Sequence, residues 1–262
     1  MALAGVALAA GSGTRLRPLT NLRPKALCPV GGVPLLDLAL ARLAVLTGNG
    51  PDRLAVNACH LGSQIALHAG GRCHVRIEPQ AGLGTAGGLA GLRDWVDGRD
   101  VLLTNADSYL PGGIPGFSDD WDGIRARLLC VSTTGKPDFT APDGTPVRYA
   151  GACLLPWAQV ASLSEAPSGL YEVVWRDADL DLVVARPETF FIDCGTPAEY
   201  LAANLHASNG ENVIGPGATV LGQVHRSVVW DGAWVAPDEV LTDVIRAGDR
   251  EQPVTVSGVT VS

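Results

Sequence analysis

The sequence lacks the features of a membrane protein or of a nucleic-acid-binding protein. No apolar run approaches the roughly 20 residues of a membrane-spanning helix, and no basic leader precedes the first apolar segment. Basic residues are in deficit, because 19 lysines and arginines stand against 27 aspartates and glutamates, which gives a net charge of −8. This charge argues against nucleic acid or an anionic membrane as the main partner.

Cysteine pairs and zinc-type spacings are also absent. The six cysteines include no Cys-x-x-Cys and mostly lie within apolar segments, so we interpret them as reduced core residues of a cytoplasmic protein rather than as disulfides or a zinc site. No histidine spacing indicates zinc, and no serine or cysteine triad is evident. With 262 residues and 47% hydrophobic content, the chain can bury one large α/β core and a small appendage.

The N-terminal segment carries the first candidate site. The apolar run from Leu3 to Ala9 predicts a buried strand, and the small residues Gly11 to Thr14 follow it. Backbone N–H groups in such a loop can turn toward an anion. Arg15 follows at once and Lys25 ten residues later, which is compatible with a polyphosphate site, whereas two glycines after a strand are by themselves typical of a simple turn. The loop is neither a Walker A sequence nor the three-glycine dinucleotide fingerprint.

The first 110 residues alternate predicted strands and helices. The apolar patterns predict further strands over 54–57, 73–77 and 101–104, and helices over 34–46, 61–69 and 86–96. Such alternation predicts an α/β protein with a Rossmann-like, mainly parallel sheet whose ligands bind at the carboxyl ends of the strands. Residues 11–15, 78–88 and 105–108 fall at such ends, so we expect three crossings of the chain to build one site.

Three motifs resemble those of the sugar-1-phosphate nucleotidylyltransferases. They are Gly11-Ser-Gly-Thr-Arg-Leu-Arg-Pro-Leu-Thr20 with Pro24-Lys25-Ala-Leu27, Thr104-Asn-Ala-Asp-Ser-Tyr-Leu110, and Asp193-Cys-Gly-Thr-Pro197. The resemblance is strong over 3–110 and 189–205 and weaker between, and it is closest to the mannose-1-phosphate guanylyltransferase and MurNAc-1-phosphate uridylyltransferase branches. It implies a GT-A-like fold and an enzyme that joins a nucleoside triphosphate and a sugar 1-phosphate into an NDP-sugar and pyrophosphate.

The resemblance also implies roles for individual residues. Arg15 and the amides of the loop would hold the β- and γ-phosphates, and Lys25 would bridge the α-phosphate and the sugar phosphate, so that Arg15 and Lys25 are the predicted catalytic residues. The predicted nucleotide contacts are Ala9, Ala10, Gly11, Ser12, Gly13, Thr14, Arg15, Glu78, Gly82, Gly84, Thr85 and Asp107.

Two carboxylates are the predicted metal ligands. Asp107 directly follows a predicted strand, and an apolar strand is expected to deliver Asp193 ahead of a helix that Thr196-Pro197 begins. Two carboxylates suit Mg²⁺, which leaves positions open for phosphate oxygens and water. An isolated Asp107 is also compatible with a solvated turn, and Ala106 stands where the family more often has glycine.

Glu78 is the residue that bears on the base. An ionised carboxylate offers only acceptors, which complement the donor edge of guanine, so Glu78 favours GTP, with mannose 1-phosphate or a related sugar as acceptor. Gln80 is the alternative for a uracil base and UTP. His60, in Asn57-Ala-Cys-His-Leu61, is interpreted as structural.

The sugar pocket is the part of the sequence where the family pattern weakens. The predicted substrate contacts are Asn105, Gly151, Glu172 and Asp193. Many relatives carry Glu-Lys-Pro in a loop where this chain has a shortened Gly-Lys136-Pro, so another sugar, or a non-sugar phosphate acceptor, stays open. A catalytically silent paralogue that binds a nucleotide sugar is disfavoured because both predicted catalytic cations and both carboxylates are present.

The composition changes near residue 210. We predict a catalytic domain over 1–209 and a short segment over 210–262, in which glycine and β-branched residues resemble about two hexapeptide-repeat turns of a left-handed parallel β-helix. Two turns are too short to be stable alone, so either the catalytic domain or a second copy of the chain must cover them. The second case gives a homodimer. Trp230 and Trp234 are the predicted contacts.

Overall fold

The computed structural model describes residues 3–79 and 82–258. Gln80, the predicted alternative contact to a uracil base, lies outside these residues, and so does the end of the strand that the alternating residues 254–261 predict. The described residues form two compact units. The first comprises the residues up to Gly11 together with 38–106 and 110–191, and the second comprises 12–37, 107–109 and the residues from 192 onward.

The helices and strands of the described residues follow in chain order. The strands are β1 (Leu3–Ala9), β2 (Pro29–Val30), β3 (Val33–Pro34), β4 (Leu54–Ala58), β5 (His74–Ile77), β6 (Asp100–Asn105), β7 (Arg127–Ser132), β8 (Phe139–Thr140), β9 (Pro146–Leu155), β10 (Asp181–Val184), β11 (Val213–Ile214), β12 (Thr219–Val220), β13 (Gln223–His225), β14 (Val228–Val229), β15 (Trp234–Val235), β16 (Val240–Thr242), β17 (Val244–Ala247) and β18 (Val254–Ser257). The helices are α1 (Leu19–Leu22), α2 (Leu35–Thr47), α3 (Gly62–Ala69), α4 (Gly84–Ala90), α5 (Arg93–Val96), α6 (Trp157–Ser162) and α7 (Pro197–Ala207).

The first unit contains a mixed, mainly parallel sheet, as the sequence predicts. Its strand order is β10-β7-β9-β6-β1-β4-β5, and β8 pairs with β9. The four strands β6, β1, β4 and β5 run parallel, as do β10 and β7, whereas β9 lies antiparallel between β6 and β7. The apolar run of β1 is buried from Ala4 to Ala9, because a central parallel strand is covered on both faces.

The register brings three strand ends to one edge of this sheet. Leu8 in β1 pairs with Asn57 in β4 on one side and with Asn105 in β6 on the other. The Ala106 N–H, just past β6, donates to the Leu8 carbonyl at 2.9 Å. The carboxyl ends of β1, β4 and β6 are therefore neighbours, which is where an α/β sheet binds its ligands.

Two predicted elements differ from the observed ones. The helix predicted over 86–96 is two helices, α4 and α5, because the first ends at Ala90, before Gly91 and Leu92, and glycine is a weak helix former. The strand predicted before Asp193 is only an isolated bridge between Ile192 and Tyr109. Its apolar composition suggested a strand, but a strand also needs a partner along its length to satisfy its backbone hydrogen bonds.

In the second unit, α7 begins with a capping box that the Thr196-Pro197 pair anticipates. The Thr196 N–H donates to the Glu199 carboxylate at 2.8 Å, and the Glu199 N–H donates to the Thr196 hydroxyl at 3.3 Å. Pro197 occupies the first turn, where its missing N–H is not needed. This cap fixes the point at which the chain leaves Asp193 and enters the helix.

The C-terminal strands of the second unit form three short parallel ladders, which agree with the predicted β-helix-like segment. They join β11, β14 and β17, then β12 and β15, then β13 and β16, and β18 adds antiparallel to β17. Along the first ladder, Val213 pairs with Val228, which pairs with Ile245. The segment therefore contains two coils and the start of a third. The domain boundary at 210 and the left hand of the coils stay predictions.

The six cysteines are thiols rather than disulfides, and all except the half-buried Cys59 are buried. Burial raises the pKa of Cys28, Cys130 and Cys153 to about 12, so these thiols are protonated and unreactive at neutral pH. No helix within residues 3–79 and 82–258 has the length and apolarity to cross a membrane. The cytoplasmic location stays a prediction.

Candidate functional site

The predicted phosphate loop contains one position where only glycine fits. Gly13 has a φ of 60°, and a Cβ placed there would lie 2.8 Å from the Thr20 Cγ2 atom and 3.2 Å from the Lys25 Cβ atom. The Thr20 hydroxyl donates to the Gly13 carbonyl at 2.9 Å. The loop therefore folds back on the chain that carries Lys25. The residues on either side of Gly13, Ser12 and Thr14, are exposed.

Ala9, Ala10 and Gly11, the remaining predicted contacts of this loop, belong to the first unit. Ala9 is the last residue of β1, Ala10 is half-buried and Gly11 is exposed. A Cβ at Gly11 would meet no atom within 4 Å. These three residues lie at the carboxyl end of β1, beside the carboxyl ends of β4 and β6.

Lys25 connects two predicted metal-binding segments within the second unit. Its ammonium group donates to the Asp107 Oδ2 atom at 2.8 Å and to the Asp193 carbonyl oxygen at 2.7 Å. The residue is only 8% exposed, and a short 3₁₀ turn, Lys25–Leu27, holds its backbone. A buried cation is thus placed directly beside one of the predicted metal-binding carboxylates. We call Lys25, Asp107 and Asp193 the Lys25 cluster.

Arg15 lies next to the segment that follows Asp193. A Cβ at Gly195 would be 2.9 Å from the Arg15 Nη2 atom and 3.1 Å from the Glu199 Oε2 atom. Arg15 itself is exposed, so its guanidinium is available to an anion from solvent. Burial raises the pKa of the intervening Cys194 thiol well above its ordinary value, which keeps it protonated at neutral pH.

The Lys25 cluster fits a hard divalent cation better than a soft one. Its two aspartates share Lys25 as a partner, and the Asp107 side chain is 36% exposed. Among residues 3–79 and 82–258, no group of three or more His, Cys, Asp or Glu side chains is placed to hold a metal. A pair of carboxylates that leaves positions open for phosphate oxygens and water is the donor set that Mg²⁺ accepts.

Glu78 lies in the first unit and is engaged by the protein. Its Oε1 atom accepts from the Asn57 side-chain amide at 2.5 Å, and its Oε2 atom accepts from the Leu83 N–H at 2.9 Å. The Asn57 Oδ1 atom accepts from the Ala9 N–H at 2.8 Å. Glu78 is 5% and Asn57 1% exposed. The carboxylate expected to contact a base therefore holds the loop after β5 to the ends of β1 and β4.

The glycines after Glu78 serve close packing. A Cβ at Gly88 would collide with the side chains of Asn57 and Glu78, so Gly88 completes this arrangement, and we call Asn57, Glu78, Leu83 and Gly88 the Glu78 cluster. Gly84 has a φ of +70°, and a Cβ there would lie 2.5 Å from the Ser168 carbonyl oxygen.

The two other predicted nucleotide contacts in this loop differ from each other. Thr85 is used by the protein, because its hydroxyl accepts from the Leu170 N–H at 2.8 Å. Gly82 has a φ of +63°, and a Cβ there would meet no atom of residues 3–79 and 82–258 within 4 Å.

Of the four predicted sugar contacts, Asn105, Gly151 and Glu172 lie in the first unit and Asp193 lies in the second. Asn105 ends β6, and Gly151 lies in the neighbouring strand β9 with a φ of +73°. The Thr104 hydroxyl donates to the Gly151 carbonyl at 2.9 Å. Glu172 is exposed on a π-helical turn, Tyr171–Trp175, and Lys136 is exposed in the loop before β8. The structure thus brings Asn105 and Gly151 onto adjacent strands.

One buried residue beside Gly151 had no signal in the sequence. Arg42, on α2, is 5% exposed and donates from Nη1 to the Thr104 hydroxyl at 2.6 Å. Its Nε and Nη2 atoms have no hydrogen-bond partner among the described residues, and burial lowers its pKa to about 10. The pattern of α2 indicated an amphipathic helix, and an arginine in such a pattern is normally on the exposed side.

A family model described as "MobA-like NTP transferase domain" matches residues 5–173. An N-acetylmuramate alpha-1-phosphate uridylyltransferase from Neisseria meningitidis is 42% identical over 106 residues, which are 38% of this chain and 45% of that protein. The chain therefore matches less than half the length of this relative. A mannose-1-phosphate guanylyltransferase from Mycobacterium tuberculosis is 24% identical over 268 residues, covering 90% of this chain and 72% of that protein.

A solved structure supports the fold over almost the whole chain. The crystal structure of a mannose-1-phosphate geranyltransferase from Thermus thermophilus superimposes with a TM-score of 0.69 at 19% identity, and it covers 98% of this chain and 96% of that one. This likeness confirms the predicted fold class, including the C-terminal strands. At this level of identity it is evidence on the fold alone.

Proposed function

Because the chain belongs to the MobA-like NTP transferase domain family, we propose that it transfers a nucleotidyl group from a nucleoside triphosphate to a sugar 1-phosphate. The products are an NDP-sugar and pyrophosphate. The observation that carries the proposal is the Lys25 cluster, in which a buried ammonium group contacts both Asp107 and the Asp193 segment within 2.8 Å. The relatives named above, a uridylyltransferase and a guanylyltransferase acting on sugar 1-phosphates, support it.

The reaction needs positioning and charge more than proton transfer. An oxygen of the sugar phosphate, already an anion, attacks the α-phosphorus, a new P–O bond forms, and the bond from the α-phosphorus to the bridging oxygen breaks as pyrophosphate leaves. We assign to Lys25 the neutralisation of the α-phosphate and the incoming phosphate. Arg15 and the amides of residues 12–14 hold the β- and γ-phosphates. Oriented donors of this kind stabilise the charge of the transition state.

Asp107 and Asp193 are the residues we assign to a divalent cation, with Mg²⁺ as the preferred ion. When bound, the cation supplies charge neutralisation on the phosphate oxygens. Lys25 donates to the carbonyl oxygen of Asp193, and we assign the cation to the carboxylate of the same residue. The Asp107 carboxylate has two oxygens, of which Lys25 contacts Oδ2.

The donor base is the open part of this proposal. Glu78 favoured GTP at the level of sequence, with mannose 1-phosphate as acceptor. Both carboxylate oxygens of Glu78, however, accept hydrogen bonds from Asn57 and Leu83, which reduces the acceptor capacity left for guanine. We therefore propose UTP as the second candidate donor, in line with the uridylyltransferase among the relatives, and we propose that Glu78 serves loop geometry instead of base readout.

The test is pyrophosphate release with Mg²⁺, measured across GTP, UTP, CTP, ATP and dTTP against sugar 1-phosphates that include those of mannose and N-acetylmuramate. Product NDP-sugar is confirmed by mass. Release with GTP alone supports the base interpretation of Glu78, and release with UTP alone supports the second candidate. Release with a non-sugar phosphate only would contradict the acceptor class. Silence throughout, with nucleotide sugars still raising the Tm, would identify a binding protein that has no transferase activity.

Lys25→Ala tests the assignment at the reacting phosphate. We expect turnover to fall by about 100-fold or more, since a positioned cation is lost from the transition state. Stability should change far less, because Asp107, the charge left behind, is 36% exposed and can be hydrated. Steady-state kinetics and thermal unfolding of the same preparation check both values. Near-normal turnover would remove Lys25 from the mechanism.

The homodimer stays a proposal that light scattering can test.

A further inference from the structure

The segment that carries Lys25 is attached to the C-terminal strands. Arg23, two residues before Lys25, pairs with Asp231 in the loop between β14 and β15. Its Nη1 atom is 2.9 Å from Oδ1 and its Nη2 atom is 3.1 Å from Oδ2. A two-pronged pair between guanidinium and carboxylate fixes direction as well as distance. It therefore fixes the approach of the chain to Lys25.

The residue beside Asp231 completes this attachment. The Arg23 guanidinium lies 4.4 Å from the centre of the Trp230 ring, a cation–π arrangement. Trp230 is only 2% exposed. Its indole N–H donates to the Tyr200 hydroxyl at 3.0 Å, and that hydroxyl donates to the Pro29 carbonyl. Lys25 thus lies between two anchored points of the chain, residues 23 and 29.

Helix α7 holds the continuation of the same segment. The Asn204 side-chain oxygen accepts from the Gly31 N–H at 3.0 Å, and its amide donates to the Tyr200 carbonyl at 3.0 Å. Gly31 has a φ of +58°, and a Cβ there would be 2.9 Å from the Ala207 Cβ atom. Residues 23–31 are therefore fixed by α7 and the C-terminal strands together.

We propose that three positioning residues hold the 3₁₀ turn Lys25–Leu27, which we call the Lys25 turn, in place for nucleotidyl transfer. These residues are Arg23, Trp230 and Asp231, and we call them the C-terminal clamp. The inference rests on the proposed function, because it takes from it the role of Lys25. A lysine side chain has four flexible carbons, and a catalytic group must be held within about 0.5 Å of its working position. Fixing the backbone on either side of Lys25 fixes the position of its Cα atom, and the contacts to Asp107 and to the Asp193 carbonyl then hold the ammonium group.

The exposure of the Arg23–Asp231 pair separates positioning from stability. The side chains of Arg23 and Asp231 are 24% and 49% exposed, and an ion pair at that exposure contributes little to the free energy of unfolding. The Arg23 hydrogen bonds nonetheless lower the pKa of Asp231, so the pair is formed at neutral pH. Breaking it should change the rate more than the Tm.

The experiment compares Arg23→Lys, Trp230→Phe and Asp231→Asn with the unaltered enzyme. Arg23→Lys keeps the positive charge but loses the two-pronged pair with the carboxylate. Trp230→Phe keeps an aromatic ring but loses the hydrogen bond to the Tyr200 hydroxyl. Asp231→Asn keeps the shape of the side chain but loses its negative charge. For each we expect kcat to fall by about 10-fold with the KM for the nucleotide within about 3-fold, since a small misplacement costs rate rather than binding. The double variant R23K/D231N should be no slower than the slower single variant, because the two residues act as one unit.

The matched control is Asp243→Asn, which breaks another ion pair of the C-terminal strands. The Arg226 Nε atom lies 3.0 Å from the Asp243 Oδ1 atom, and Asp243 contacts the β13–β14 turn and residue 258 rather than the Lys25 turn. We expect its kcat to equal that of the unaltered enzyme within 2-fold. An equal loss in Asp243→Asn, or a loss of kcat that only follows the Tm, would overturn the positioning role.

Hydrogen exchange gives a readout that does not depend on turnover. The Leu27 and Cys28 amides donate to the Pro24 and Lys25 carbonyls at 2.8 and 2.9 Å. We expect these amides to exchange about 10-fold faster in Asp231→Asn, and to be unchanged in Asp243→Asn. Unchanged exchange would reject the clamp even if the unaltered protein has no transferase activity. If that protein is inactive but exchange accelerates, the proposed function fails while the clamp stands. Faster exchange with a normal kcat would show that the clamp holds the turn without serving catalysis.

Discussion

The Asn57 side-chain amide donates to the Glu78 carboxylate at 2.5 Å, and both side chains are buried. Asn57 also accepts from the backbone of Ala9 at 2.8 Å, so one amide joins the last residue of β1, the strand β4 and the loop after β5. Because an amide has distinct donor and acceptor ends, the pair also fixes which way Asn57 is turned. Both carboxylate oxygens of Glu78 therefore accept hydrogen bonds from the protein itself before any ligand binds.

Glu78→Gln tests whether these hydrogen bonds to the Glu78 carboxylate stabilise the fold. The NH₂ group of glutamine would face a donor, either the Asn57 amide or the Leu83 N–H, and turning Asn57 over would only move the mismatch to the Ala9 N–H. A buried donor left without an acceptor costs about 1–3 kcal/mol, which lowers the Tm by roughly 3–10 °C. Thermal unfolding measures this loss. We expect the kcat/KM for GTP divided by the kcat/KM for UTP to stay within 3-fold of its value in the unaltered enzyme.

The opposite result identifies a base contact. A shift of 10-fold or more from GTP toward UTP in Glu78→Gln, with an unchanged Tm, would restore the role predicted from the sequence. That outcome would mean that the bonds from Asn57 and Leu83 are exchanged for bonds to guanine when the nucleotide binds.

Gly13→Ala tests the phosphate loop. The φ of 60° costs a residue with a Cβ about 1–2 kcal/mol, and the added Cβ would lie 2.8 Å from the Thr20 Cγ2 atom and 3.2 Å from the Lys25 Cβ atom. Relief of these contacts must move the loop or Lys25. We therefore expect kcat to fall by about 100-fold, with a Tm lower by only a few degrees.

Gly112→Ala is the control for this glycine substitution. A Cβ at Gly112 would meet no atom within 4 Å, and the residue does not have a positive φ. Its kcat and Tm should both match those of the unaltered protein. Normal turnover in Gly13→Ala would show that the loop tolerates displacement and does not hold the triphosphate.

Much of the fold was predictable because buried parallel strands appear as continuous apolar runs. The run predicted over residues 3–9 is β1, and the helix predicted over 34–46 is α2, Leu35–Thr47. Composition was insufficient where pairing decides the structure, as at Ile192, which meets Tyr109 in a single bridge. It was also insufficient in 86–96, where the predicted helix is interrupted at Gly91 and Leu92.

For the candidate site, the sequence indicated which segments matter but not which side chains contact each other. The loop after β1, Asp107 and Asp193 were identifiable from motifs, since strand ends and glycines carry local signals. Arg23 and Asp231 are 208 positions apart, and neither lies in a pattern that pairs them. The partners of Glu78 were likewise not foreseeable, because Asn57 comes from a different strand and the choice depends on burial.

Arg42→Met tests the cost of a buried guanidinium. Burial lowers the pKa of Arg42 to about 10, so the folded protein binds this proton less tightly than the unfolded chain. The cost is complete below pH 10 and is relieved only as the pH rises through about 10 toward the pKa of arginine in the unfolded chain. At pH 7 we therefore expect methionine, which fills a similar volume without a charge, to leave the Tm unchanged or to raise it by a few degrees. The Thr104 hydroxyl still donates to Gly151.

Arg127→Met supplies the comparison, because Arg127 is similarly buried but has partners for its Nε and Nη1 atoms. Its Nε atom is 2.6 Å from the Asp181 carboxylate, and its Nη1 atom donates to the carbonyls of Phe117 and Asp119 at 3.0 and 2.5 Å. Removing it leaves a carboxylate and two carbonyls without their donor, which costs roughly 3 kcal/mol and should lower the Tm by several degrees. Equal losses in the two variants would mean that the Arg42 guanidinium has partners that offset its burial, and that its unpaired Nε and Nη2 atoms are not a source of instability.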